Sequence, residues 1–137
     1  MMNAQSTVCQ PIPRRRRSRI ERGRLHRPIW TAAELRALLE ATVAGGFDID
    51  EVMLRQPSRG EARIALARQV AMYMAHIACG MTKAEAGRLF ERDRTTVHHA
   101  CLVIEQRRDD DSFDLALDHL ERVIRIVVGP MEASWAA

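Results

Sequence analysis

Three consecutive side chains, Asp93, Arg94 and Thr95, place a carboxylate, a guanidinium and a methyl-bearing hydroxyl side by side. That set suits the reading of base edges in a DNA major groove. A carboxylate accepts from the cytosine amino group, a guanidinium forks onto guanine O6 and N7, and a threonine methyl packs on the thymine methyl. Each good bidentate pair discriminates between bases by about 1–3 kcal/mol. Cations at Arg59, Arg63, Lys83, Arg88 and Arg92 stand nearby in the sequence and suit phosphate oxygens. Arg59 lies in a turn-rich loop, Arg55–Gly60, from which an arginine can enter a minor groove.

Other chemistry is poorly supplied. His98, His99 and Cys101 share one stretch, and Cys79 precedes them. Adjacent residues on a helix point about 100° apart, which spoils a common metal geometry, so no metal site is expected. Asp109, Asp110 and Asp111 read as a solvated turn at a helix end. No GxxxxGK[ST] phosphate loop and no nucleophile–base pair is evident, so neither enzyme activity nor a cofactor is expected.

The elements that must position these residues are helices. Thr82 with Glu85 forms a capping-box pattern and predicts a helix from Lys83, with Ala86, Leu89 and Phe90 on one face. Glu91, Arg92 and Asp93 interrupt that face, and the Asp93 side chain is expected to cap a second helix. Val97, Ala100, Cys101 and Ile104 give the second helix its buried stripe, which leaves Arg94, Thr95 and Thr96 exposed at its start. Two helices in this relation read as a helix-turn-helix.

Upstream, Thr31 with Glu34 opens a first helix bearing Leu35, Leu38, Leu39 and Thr42, and Gly45-Gly46 is expected to end it. Phe47 and Ile49 anchor the connection. Residues 48–54 predict a short helix with Val52, Met53 and Leu54 partly inside. Ser58 with Glu61 suggests a third capping box, opening a long helix to about Ala78. Its apolar stripe is Ala67, Val70, Ala71, Met74 and Ile77 or Ala78, and Gly80 supplies the stop. A final helix, capped by Asp111 or Ser112, is expected to face Phe113, Leu117, Leu120, Val123 or Ile124, and Val127 inward before Gly129-Pro130 stops it. The fold class is all-α: a small helical cluster around a helix-turn-helix, without internal repeats.

The charge is strongly polarised. Before Pro28 stand eight arginines against Glu21 alone, a net of +7, while the chain as a whole carries +3. The remainder therefore carries −4, yet its central stretch from Arg55 to Arg94 is +4. A basic arm and a basic centre between acidic flanks form the footprint of a nucleic-acid binder. Residues 1–30 read as a disordered arginine-rich arm, 31–128 as the helical domain and 129–137 as a tail. No apolar run long enough to span a membrane and no secretory h-region is evident. Cys9, Cys79 and Cys101 are odd in number and form no CxxC pair, which fits a reducing cytoplasm.

Two blocks carry a resemblance. RDRTTVHHAC, Arg92 to Cys101, resembles the signature RDHTTVxHAC of the C-terminal DNA-binding domain (domain IV) of the bacterial replication initiator DnaA. Nine of the ten positions fit, counting the free one, and Arg94 stands where the family has histidine. ARQVAMYMAH, Ala67 to His76, is similar to the family's long helix, typically ARQIAMYL. The resemblance covers roughly Thr31 to Val128 and implies a stand-alone domain without the initiator's ATPase. It implies base contacts from Asp93, Arg94 and Thr95, a phosphate contact from Thr96, and a major-groove contact from Arg68. It also implies a minor-groove contact from Arg59 and a phosphate grip at His76. Arg94 keeps a donor able to reach guanine but is longer and permanently charged, so the preferred sequence should overlap the initiator's A/T-rich box without matching it.

These features predict a sequence-specific, double-stranded-DNA-binding protein of the cytoplasm, nucleoid-associated and acting in transcription regulation. A variant of that role competes for the initiator's boxes at the replication origin. An architectural protein with little sequence preference is the next alternative, and a protein-interaction module using the acidic outer helices is a third. No membrane or nucleotide partner is expected, and protein partners are unspecified.

Overall fold

The Thr31 hydroxyl accepts from the Glu34 amide at 3.2 Å, and the Glu34 carboxylate accepts from the Thr31 amide at 2.8 Å. This reciprocal cap satisfies two of the donors a helix leaves open at its start, and it begins α1 (Ala32–Phe47). The computed structural model describes residues 30–56 and 61–129. Within them follow α2 (Glu51–Arg55), α3 (Ala62–Ile77), α4 (Lys83–Phe90), α5 (Arg94–Arg107) and α6 (Asp111–Val128). No strand occurs among the described residues, and the fold is an all-α cluster. Apart from Trp30, the expected arm over residues 1–30 lies outside the described residues, as do Ser58, Arg59 and the tail beyond Gly129.

The centre is α3. Ile64, Ala67, Val70 and every residue from Ala71 to Ala75 are buried. A helix covered on nearly all sides in its middle must be surrounded, and α3 packs against each of the other five helices. Leu35, Leu39, Val43 and Ala44 of α1 meet the core on one side. The Val97–Ile104 stripe of α5 meets it on another. Val70, Leu39 and Val97 are fully enclosed, and truncating a buried leucine to alanine costs about 2–5 kcal/mol.

Several boundaries differ from the sequence pattern. Gly45 and Gly46 do not end α1; it continues to Phe47, and Asp48 takes the left-handed conformation (φ 52°) that closes it. Gly46 is instead a packing residue, because a Cβ there would come within 3.1 Å of the Leu120 side chain of α6. Of the short helix, Leu54 is buried but Val52 is exposed. The N-cap of α3 is Glu61, which makes no side-chain cap bond, so the long helix begins at Ala62, three residues later than a cap at Ser58 would start it. The cap of α6 is Asp110 rather than Asp111 or Ser112, its carboxylate accepting from the Ser112 and Phe113 amides at 2.9 and 3.1 Å. Leu117, Ile124 and Val128 are the buried residues of α6, with Phe113 and Leu120 packed partly buried against the core, while Val123 and Val127 are exposed.

One arginine fastens the last two helices together. Arg108, just past the end of α5, pairs with Asp114 at 2.9 Å, Asp118 at 3.1 Å and Glu121 at 3.6 Å on α6. Its guanidinium also lies 5.5 Å from the centre of the Tyr73 ring on α3. The Tyr73 hydroxyl donates to Glu105 at 2.7 Å, and burial raises its pKa well above the ordinary phenol value. Arg125 donates to the Ile77 carbonyl at 3.0 Å, joining α6 to the end of α3. No helix among the described residues is long and apolar enough to cross a membrane.

Candidate nucleic-acid interface

The helix-turn-helix is α4, its turn, and α5. The Thr82 hydroxyl accepts from the Glu85 amide at 3.1 Å and the Glu85 carboxylate accepts from the Thr82 amide at 2.9 Å, the same reciprocal cap as in α1. Ala86, Leu89 and Phe90 are buried. Glu91 then adopts a left-handed conformation (φ 54°), and two amides turn back onto the end of the helix. Arg92 donates to the Gly87 carbonyl at 2.8 Å and Glu91 to the Arg88 carbonyl at 3.4 Å. This is the six-to-one, five-to-two pattern of a Schellman close.

Gly87 makes the turn possible. A Cβ at this position would sit 2.6 Å from the Arg92 carbonyl oxygen and 3.4 Å from the Arg94 nitrogen. The last turn of α4 thus lies directly against the backbone that starts α5. Sequence reasoning passed over this residue, although a glycine inside a helical pattern signals a close approach.

Asp93 occupies the N-cap position of α5, and its carbonyl accepts from the Thr96 and Val97 amides at 3.0 and 3.2 Å. Its carboxylate, however, makes no cap bond, contrary to the expected side-chain cap. Asp93, Arg94, Thr95 and Thr96 are all exposed, whereas Val97, Ala100, Cys101 and Ile104 anchor the other side of the same helix. The structure therefore brings three of the four expected base readers together on one accessible turn. Arg88 and Arg92 are exposed as well, and Lys83 is half-buried. Lys83 Nζ lies 2.8 Å from His98 Nδ1, joining the start of α4 to the second turn of α5.

The arginines on α3 behave differently. The resemblance implies that Arg68 extends into a groove, but it is half-buried and committed to the protein. Its Nε donates to the Leu54 carbonyl at 2.9 Å, and Nη2 donates to the Met53 and Gln56 carbonyls at 2.9 and 2.6 Å. These are the carbonyls at the end of α2, which a short helix cannot satisfy internally. Arg68 thus clamps the end of α2, and its major-groove contact remains what the resemblance implies. Arg63 is exposed and donates to the Phe47 carbonyl at the end of α1. His76 is half-buried, with Nδ1 2.6 Å from the Met81 carbonyl, which fixes its ring beside the loop before α4. Arg59 falls outside the described residues.

Among the described residues no three histidine, cysteine or acidic side chains converge as a metal site. His98 and His99 are exposed while Cys101 is buried. Burial pushes the Cys79 thiol up to about 11 and raises Cys101 as well, so neither is an activated thiolate near neutral pH.

Comparison with known proteins agrees with this geometry. Residues 37–104 match the family model described as the bacterial dnaA protein helix-turn-helix. The matched stretch runs from within α1 to Ile104 of α5, shorter than the 31–128 span of the resemblance, and leaves α6 outside. No curated protein matches the chain. The chain belongs to the bacterial DnaA helix-turn-helix family.

Proposed function

We propose that this DNA-binding domain reads specific duplex sequences and acts as a regulator of transcription. The single observation that carries the reading is the exposed run Asp93–Thr96 at the start of a helix whose opposite side is anchored in the core. In this reading α5 enters the major groove by its first turn, with Asp93, Arg94 and Thr95 against bases and Thr96 against phosphate. Lys83, Arg88 and Arg92 contact the backbone beside it, Arg59 reaches a minor groove, and Arg63 and His76 contribute charge at the edges. The arm over residues 1–30 adds affinity through its arginines, and the protein resides on the nucleoid.

A second reading, competition with the replication initiator for its boxes, is favoured by the family match itself. Both readings use the same surface, and the preferred sequence separates them. The test is selection of bound duplexes from a randomised pool at near-physiological salt, followed by the same selection with Arg94→His. The wild type is expected to enrich a defined motif, and the variant to shift that motif towards the initiator's box with affinity within about tenfold. A wild-type motif close to that box supports competition. Efficient binding without enrichment would replace the regulatory reading with an architectural one. An unchanged motif in the variant would remove Arg94 as a reader.

A further inference from the structure

Beside the start of α5, side chains from four helices and the α4–α5 turn enclose a cavity of about 60 Å³. Arg36 of α1, Arg55 of α2, Arg68 of α3 and Arg92 of the turn all line it, with Phe90 among its apolar walls. A single carboxylate, Glu40, lines it against these four guanidinium groups, a formal excess of +3.

Glu40 is 2 % exposed. A buried carboxylate must be paired and hydrogen-bonded, and two of the arginines do this. Arg36 Nε donates to Oε1 at 2.5 Å and Arg55 Nε donates to Oε2 at 2.6 Å. The hydrogen bond and the charge of Glu40 raise the pKa of Arg55 further still. Each arginine is thus held through Nε, and the terminal nitrogens of Arg55 form no ion pair among the described residues. Arg36 also lies over the Phe90 ring at 5.7 Å, and its contact to Glu91 is long, 3.4 Å, to a side chain that is 85 % exposed. Such a contact is weak. Arg92 is exposed and makes no ion pair among the described residues. One carboxylate therefore orients two guanidinium groups, and Arg55 and Arg92 keep terminal nitrogens outside any ion pair among the described residues.

We infer that this cavity is a phosphate-binding site, with Arg36, Arg55 and Arg92 as its ligands and Glu40 as a positioning residue. The size sets the ligand class. A single water needs only about 10–15 Å³, whereas a whole small-molecule ligand occupies a pocket of roughly 300–1,000 Å³. The cavity suits one phosphoryl group whose remaining atoms stay outside. Two sources carry that group: a phosphodiester of duplex DNA, or a free phosphate compound. Arg92 directly precedes the N-cap of α5, so the backbone of the duplex that α5 enters is the favoured source. The inference rests on the proposed DNA-reading role in that respect.

The test compares full-length wild type with Arg55→Gln and Arg55→Lys in duplex binding over a salt series. Each phosphate neutralised contributes about 0.9 to the slope of log affinity against log salt. Arg55→Gln is expected to lower that slope by about 1 and to weaken binding several-fold on every duplex alike, with Arg55→Lys restoring the slope. Should Arg55→Gln fail to fold, Arg92→Gln serves in its place. In parallel, inorganic phosphate is titrated against chloride at equal ionic strength while the melting temperature is followed. A phosphate-dependent rise that Arg55→Gln abolishes, with the DNA salt slope unchanged, assigns the site to a free phosphate compound. An unchanged slope with no phosphate-dependent rise overturns the site altogether. If the wild type binds no duplex, the DNA-reading role fails, and the phosphate titration still decides the cavity.

Discussion

At Gly87 the fold and the candidate reading surface meet in one missing side chain. Any Cβ there collides with the Arg92 carbonyl, 2.6 Å away, and this is backbone rather than the yielding end of a side chain. Gly87→Ala must therefore move the Arg92–Arg94 segment or bend the end of α4. Overpacking of this kind costs about 1–3 kcal/mol. The expected outcome is a lower melting temperature and a loss of DNA affinity larger than the loss of folded protein explains. Thermal denaturation alongside a binding titration checks it, and wild-type values in both would show that the turn adapts freely. Asp93 makes a complementary point: its backbone begins α5 while its carboxylate is left out of the cap. A capping residue that does not cap is a local departure from the usual chemistry, and such departures concentrate at functional positions.

At the level of elements, the link between α5 and α6 is ionic. Arg108 faces Asp114, Asp118 and Glu121, so Arg108→Met keeps much of the apolar stem while leaving three carboxylates near one another. We expect a loss of about 1–2 kcal/mol, diminishing at high salt as the repulsion is screened. Urea denaturation at low and high salt measures both quantities; equal stability of the two proteins at low salt would rule out an ionic link. Elements with local signals were legible in the sequence. The reciprocal caps at Thr31 and Thr82 and the α5 stripe involve residues within a few positions of each other. What depends on a distant partner was not legible. Gly45-Gly46 reads as a stop until Leu120 is seen packing against Gly46. The apolar stretch Val123–Val128 offers several possible inward faces, and contact with α1 and α3 selects Ile124 and Val128. Arg68 shows only its charge in the sequence; the carbonyls that hold it are assembled by the fold.

Across the whole molecule, charge and structure are divided unevenly. The arginines before Pro28 lie outside the described residues, yet they bring +7 to a chain whose total is +3. Non-specific attraction to phosphate depends on such charge and on salt, not on base identity. Deleting residues 1–27 is expected to weaken binding equally on all duplexes and to flatten the salt dependence, as read by titrations at several salt concentrations. Loss of preference at particular base pairs would instead make the arm part of the reading surface. The described domain is different in kind, because its candidate readers occupy the first turn of a helix whose other side is buried in the core. Val97, Ala100, Cys101 and Ile104 hold α5 in place, and Asp93 to Thr96 are exposed. In the proposed reading, stability and preference are therefore stored in separate residues of the same helix. On that reading, a substitution at Arg94 changes what the helix reads without disturbing the residues that hold it in the fold.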